Sequence, residues 1–296
     1  MPPPPHILLF GSTGQIGHAL QRPLGRLGSV DALARADADL TDAAALRTAV
    51  REHAPDVIVN AAAYTAVDQA EEEPERAEAI NATAPGVLAK AAVEHGAWLV
   101  HYSTDYVFDG TQRTPYTETD PTAPLGVYGR TKRDGEAALQ EAGGRHIILR
   151  TSWVYSHRRS NFLRTMLRLA DTHDRLTVVN DQVGCPTWAG WIAAATAHIV
   201  ETLLTRDTSA ADSGLYHLSS SGHTSWYGFA CAIFEQVGKD VHVEPIPTAS
   251  YPTPAERPRY SVLNTSSVTQ TFNLRIPTWQ QQLAACAHHM DAAPGP

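Results

Sequence analysis

Three glycines, Gly11, Gly14 and Gly17, follow directly on the apolar run His6-Ile-Leu-Leu-Phe10 and open a stretch of helical composition. A chain that passes from strand to helix through such a loop is committed to a strand–loop–helix unit. The glycines permit the tight turn and let the backbone come close to whatever sits at the helix N-terminus. The pattern then repeats. Apolar runs recur at 30–34, 56–60, 98–102 and 146–150, with helical composition at 43–53, 75–95 and 129–142. This alternation predicts an α/β fold whose parallel sheet is covered by helices on both faces, a doubly wound arrangement. Pro23 falls in the first helix, where it removes one backbone hydrogen bond and kinks the chain unless the helix is short.

The second half is less regular. Helices are expected at 187–204, 227–237 and 278–289, with a proline-rich segment at 245–258 between the last two. We expect residues 1–150 to form the first domain, with 177–205 returning to it. Residues 151–176 and 206–296 are expected to form a smaller α/β domain at the C-terminal edge of the sheet. Residues 291–296 are expected to be disordered.

Composition narrows the partners. With 23 basic and 31 acidic residues among 296, the formal charge is −8, and no basic patch stands out. Nucleic acid is therefore not an expected partner. Three scattered cysteines form no pair of metal-ligand or disulfide spacing, which suits a reducing cytoplasm. The N-terminus lacks the pattern of a signal peptide, and no apolar stretch reaches the length of a membrane span. Fourteen histidines include no local metal-ligand spacing, so no metal is expected.

A Gly-x-x-Gly-x-x-Gly loop between strand and helix suits the pyrophosphate of a dinucleotide, held at the helix N-terminus by Gly11, Gly14, Gln15, Ile16 and Gly17. Arg35, at the end of the second strand, would receive a 2′-phosphate, pointing to NADPH rather than NADH; a solvent-facing arginine is the plain alternative. Asp39 and Leu40 follow at the adenine side. Farther on, Tyr128 and Lys132 stand four residues apart, on one face of a helix. A phenol normally titrates near 10, and a neighbouring ammonium lowers that value, making the tyrosine a usable acid or base.

Taken together, the glycine loop, Asn60-Ala-Ala-Ala63, Ser103-Thr-Asp-Tyr-Val-Phe-Asp-Gly110 and Tyr128-x-x-x-Lys132 resemble an extended short-chain dehydrogenase/reductase, with its Rossmann-type sheet. Arg150-Thr-Ser-Trp-Val-Tyr155, Asn180-Asp-Gln-x-Gly-x-Pro-Thr187 and Arg257-Pro-x-x-Ser-x-Leu-Asn264 narrow the resemblance to the dTDP-4-dehydrorhamnose reductase family, over about residues 6–285. The resemblance implies NADPH-dependent reduction of the C4 ketone of dTDP-4-dehydro-L-rhamnose, yielding dTDP-L-rhamnose for cell-wall or surface polysaccharide. Tyr128 would be the proton donor, Lys132 would hold the nicotinamide ribose, and Thr104 would donate to the ketone oxygen. Ala63, Tyr64, Thr65 and Tyr102 would line the cofactor. Asp105, Trp153 and Arg257 would contact the dTDP-sugar, the last through its phosphates. Asp105 as a turn cap, Trp153 as core and Arg257 as a surface ion pair are the simpler alternatives.

Some members of the family are described as homodimers bridged by magnesium through acids on the first helix. Here that helix reads Gly17-His-Ala-Leu-Gln-Arg22, with no acid, so a monomer or a differently built dimer is allowed. Two other readings stay open: a related reductase giving dTDP-6-deoxy-L-talose, and a non-catalytic NADP-binding regulatory subunit. The intact set of Thr104, Tyr128 and Lys132 argues against the second.

Overall fold

The computed structural model describes residues 3–206 and 212–291. β1 (His6–Phe10) leads through the glycine loop into α1 (Gln15–Leu24), followed by β2 (Ser29–Leu33), α2 (Ala43–His53) and β3 (Val57–Asn60). The short helices α3 (Val67–Ala70) and α4 (Pro74–Glu78) precede α5 (Ala84–His95), β4 (Trp98–Thr104), α6 (Val127–Ala142) and β5 (His146–Thr151). Then come β6 (Val154–Tyr155), α7 (Phe162–Leu169), β7 (Arg175–Val179), β8 (Val183–Gly184), β9 (Thr187–Trp188), α8 (Ala189–Thr205) and β10 (Gly214–His217). The described chain finishes with β11 (Thr224–Ser225), α9 (Trp226–Val237), β12 (His242–Ile246), α10 (Ser266–Phe272) and α11 (Trp279–Asp291).

Six strands form one sheet in the order β10-β5-β4-β3-β1-β2, and every pairing in it is parallel. The period-2 alternation of β1 explains how both faces are covered. Ile7 and Leu9 join Leu20 and Leu24 of α1 and Ile192 and Ile199 of α8 in one cluster. Leu8 and Phe10 join Leu46 and Val50 of α2, Leu88 of α5 and Leu139 of α6 in the other. Each of these side chains is fully buried, and each contributes about 1.5–3 kcal/mol relative to exposure. Because β2 and β3 flank β1 on opposite sides, the strand order reverses there, and a crevice opens at the carboxyl ends of the strands.

Pro23 is absorbed simply: α1 is ten residues long and stops one residue later, at Leu24, so the missing amide falls in the last turn. Helix 75–95 is continuous from Pro74 but contains a π-helical turn at Ala79–Thr83. Its buried Asn81 donates to the Tyr64 carbonyl at 3.0 Å and the Thr131 hydroxyl at 3.2 Å, and accepts from the Tyr64 amide at 2.9 Å. α6 lies so close that a Cβ on Gly135 would stand 2.1 Å from the Asn81 carbonyl oxygen. The helix bearing Tyr128 is thereby fixed to the sheet's flank.

The outer strand β10 comes from residues expected in the smaller domain, yet it extends the central sheet beside β5. Tyr216, Leu218 and, from α10, Val268 and Phe272 complete the same core face. Gly-Leu-Tyr-His is too short to display its alternation in sequence. A separate core of Tyr155, Leu163, Phe229, Ile233 and Leu283 is bounded by α7, α9, α11 and the β7–β12 ladder. The tail expected to be disordered lies, apart from Asp291, outside the described residues.

Candidate active site

At the carboxyl ends of the strands lies a cleft of about 760 Å³. Gly11 adopts φ +81°, and a Cβ there would meet the Ala62 amide nitrogen at 2.7 Å, so only glycine fits. The amides of Gly11 and Ser12 both donate to the Leu33 carbonyl, tying the loop to β2. Gly14, the N-cap of α1, offers no side chain to the first-turn amides, which suits an anionic group placed there. Gly11, Gly14, Gln15 and Ile16 line the cleft. Gly17 does not; its missing Cβ would stand 2.0 Å from the Gly11 carbonyl oxygen, so it lets α1 close onto the loop.

Arg35, Asp39 and Leu40 line one end of the cleft. The Thr41 amide and hydroxyl, both 2.9 Å from the Asp39 carboxylate, hold its pKa below the usual range. Ala63 and Thr65 line the wall after β3. Tyr64 turns away from it, its hydroxyl donating to Glu73 at 3.1 Å.

Tyr102, Thr104, Asp105, Tyr128 and Lys132 meet in the middle of the cleft. Lys132 is 1% exposed, and its ammonium donates to the Tyr102 carbonyl at 2.6 Å and to Nε2 of His101 at 3.2 Å. Burial first, and then the Lys132 charge, hold His101 well below its ordinary pKa, so it is a neutral partner. The other His101 nitrogen faces Asn60 at 3.1 Å. Burial brings the Lys132 ammonium down to about 8, so it remains mostly charged at neutral pH. Burial likewise pushes the Tyr128 phenol up to about 12, against a lowering influence from the Thr104 hydroxyl. This departs from the expected depression by Lys132, whose ammonium is engaged with Tyr102 and His101.

Asp105 is 2% exposed and accepts from Thr104 at 3.1 Å, Ser152 at 2.8 Å and Ser261 at 2.6 Å. Desolvation nevertheless raises its carboxyl to about 6. It therefore staples three chain segments at the cleft floor. Two neighbouring hydroxyls lining the cleft, those of Ser103 and Thr151, are buried without a partner among the described residues.

The opposite wall is aromatic. Trp153, at φ +46°, stacks on Trp226 at 3.5 Å with 3° between the planes, and Phe162 lies 4.6 Å from the same indole. Gly184 makes room for this, since a Cβ would stand 2.5 Å from the Trp153 ring. A strap from 156 to 161 grips the glycine loop. Ser156 and Asn161 donate to Gln15 at 2.9 Å each, and Arg159 donates to the Thr13 carbonyl at 2.7 Å.

Arg257 is not brought to this cleft. It pairs with Asp68 of α3 at 2.7 Å and lines a second cavity, about 900 Å³, beside Arg113 and Arg259. Sequence reasoning missed Trp226, Phe162, Arg159 and His101. Trp226 opens a helix read as starting at Tyr227, His101 sits inside an apolar strand, and the run His157-Arg-Arg159 carries no spacing that points to a loop 146 residues away.

Residues 5–292 match the family model described as RmlD substrate binding domain. A dTDP-4-dehydrorhamnose reductase of Escherichia coli (strain K12) is 50% identical over 285 residues, covering 93% of this chain and 94% of that protein. One of Burkholderia thailandensis is 46% identical over 296 residues, covering 96% and 98%. The crystal structure of dTDP-4-dehydrorhamnose reductase from Bacillus anthracis in complex with NADP superposes with a TM-score of 0.89, at 33% identity, over 96% of this chain and 99% of that one.

Proposed function

The chain belongs to the RmlD family, alongside the dTDP-4-dehydrorhamnose reductases it resembles throughout, and we propose that it reduces the C4 ketone of dTDP-4-dehydro-L-rhamnose to dTDP-L-rhamnose with NADPH. The observation that carries this reading is the meeting of Thr104, Tyr128 and Lys132 in a cleft that the glycine cradle also lines. The residues fit the cofactor. The cradle excludes any Cβ at Gly11, the α1 N-terminus has no capping side chain, and buried hydroxyls with no partner line the cleft. NADPH, when bound, supplies the hydride.

The chain's own groups would do the rest. Tyr128, with its phenol near 12, is protonated at neutral pH and gives that proton to the C4 oxygen as the ketone becomes an alkoxide. Thr104 donates to the same oxygen, a stabilisation that grows with its negative charge. Lys132 holds the ribose through the one ammonium hydrogen not used by Tyr102 and His101. Arg35 receives the 2′-phosphate, while Asp39 and Leu40 border the adenosine. The Trp153–Trp226 stack packs on the sugar and excludes water. The smaller domain carries this aromatic wall, and we draw it as 151–179 together with residues after 218 apart from α10, which packs on the central sheet.

Turnover is tested by loss of NADPH absorbance with the keto-sugar, comparing wild type with Tyr128→Phe, and NMR of the product separates the L-rhamno from the L-talo outcome. NADPH binding without turnover by wild type would sink the reductase reading. A cytoplasmic setting completes the proposal, with a monomer or a dimer built otherwise than by a metal bridge through α1; light scattering separates the two. Among the described residues, no helix is long and apolar enough to cross a membrane.

A further inference from the structure

At the end of the sheet remote from the cleft, three side chains from three elements converge. Nε2 of His6, where β1 begins, lies 2.7 Å from Oδ2 of Asp31 in β2. Nδ1 of His53, the last residue of α2, lies 2.6 Å from the same oxygen. One ligand atom from each residue lies within 4.8 Å of the others. We propose that His6, Asp31 and His53 form a binding site for a divalent transition ion of the zinc class, independent of the reductase chemistry.

Four arguments carry this. Two imidazole nitrogens and one carboxylate oxygen are the donor set that borderline metals prefer. An ion about 2.0–2.2 Å from each donor needs donors about 3.3 Å apart in a tetrahedral arrangement, so the carboxylate oxygen withdraws by less than about 1 Å while the two nitrogens, now within 4.8 Å of each other, settle to the same separation. Asp31 also has no lysine or arginine partner among the described residues, only the two histidines. The carboxylate also stands beside the negative end of the α2 dipole, which favours a cation there. Finally, solvent reaches the site, with side-chain exposures of 27%, 43% and 31% for His6, Asp31 and His53, leaving room for water as a fourth ligand.

Occupancy would clip the start of β1, the edge strand β2 and the end of α2 together. Five residues of β1, about 16 Å, run from His6 to the glycine loop, and Asp31 stands two residues before Leu33, whose carbonyl holds that loop. No local spacing announces the site, because its members stand 25 and 22 residues apart.

The test uses the untagged full chain, stripped with chelator, at a pH about one unit above the ordinary histidine value. Zinc binding is measured by competition with a chromophoric chelator, in wild type, His53→Gln and Asp31→Asn. We expect each variant to bind one zinc ion fewer, and saturating zinc to raise the wild-type Tm by roughly 5 °C with no such rise in the variants. Equal stoichiometry in all three proteins would assign any binding to other histidines and overturn the proposal, as would no binding by wild type, which leaves a hydrogen-bonded triad only. His53→Gln, a change at a part-exposed helix end, keeps the test decisive should Asp31→Asn fail to fold.

Discussion

On one wall of the cleft, the groups that would meet a ligand stand at the ends of β1, β3 and β4 and on α6. They are held by main-chain hydrogen bonds and by glycines that admit no Cβ. On the other wall, Trp153, Arg159, Phe162 and Trp226 hang on short ladders and a strap, held by side chain against side chain. The first wall is a property of the sheet, and a substitution there acts through backbone geometry or through the reacting atoms. The second wall is a set of contacts that can be shaved one at a time. Catalytic power should therefore be concentrated on the first wall and affinity for the sugar spread over the second.

The sharpest test is Tyr128→Phe, which should lower kcat by at least about 100-fold while leaving the urea midpoint and NADPH affinity nearly unchanged. A fall in cofactor affinity instead would mean that the phenol shapes the wall rather than serving the reaction. Next in size is the pH response of Asp105. A carboxyl whose folded value, about 6, lies above its unfolded value binds protons more tightly when folded. Its stabilising contribution is present below about pH 4 and is lost as pH rises to about 6, on the order of 3 kcal/mol for a shift of this size. Urea unfolding of wild type and Asp105→Asn across that window should show a slope in the first that is absent from the second. Gly17→Ala forces a methyl against the Gly11 carbonyl and should cost about 1–3 kcal/mol in urea denaturation, with weaker NADPH binding. On the aromatic wall, Trp226→Ala should raise KM for the sugar by up to about 10-fold with kcat nearly intact, the scale of one stacked pair. If kcat falls as far as in Tyr128→Phe, the contrast between the walls is wrong. Arg159→Ala, which removes one hydrogen bond to the glycine loop, should weaken NADPH by only about 5-fold in a fluorescence titration.

The same contrast explains what the amino-acid sequence discloses. Strands β1, β3, β4 and β5 appear in it within a few residues because both faces of each are buried, so that apolar runs stand out. Tyr128 and Lys132 are legible because helical spacing alone brings them together. Ala63, Thr104 and Trp153 were found through the family motifs, and all three line the cleft. What escaped depends on long-range assembly. β10 is only four residues, and its pairing with β5 follows from the core it completes. Arg159 acts on a loop far upstream, and the partner of Arg257 is Asp68 of a four-residue helix, so neither role has a local signature. The upward shift of Tyr128 also lay beyond sequence, since it depends on where the neighbouring ammonium points.

The late arrival of β10 has a consequence during synthesis. Five strands and the glycine cradle have been made once residue 151 leaves the ribosome, but Gly214 must find Ile147 before the sheet is closed. At about 5–20 residues per second, β5 waits roughly 3–13 s with a bare edge, while an entire segment of the second core is being made. A nascent chain in that interval presents unpaired amides and carbonyls to any extended strand nearby, including that of another chain on the same message.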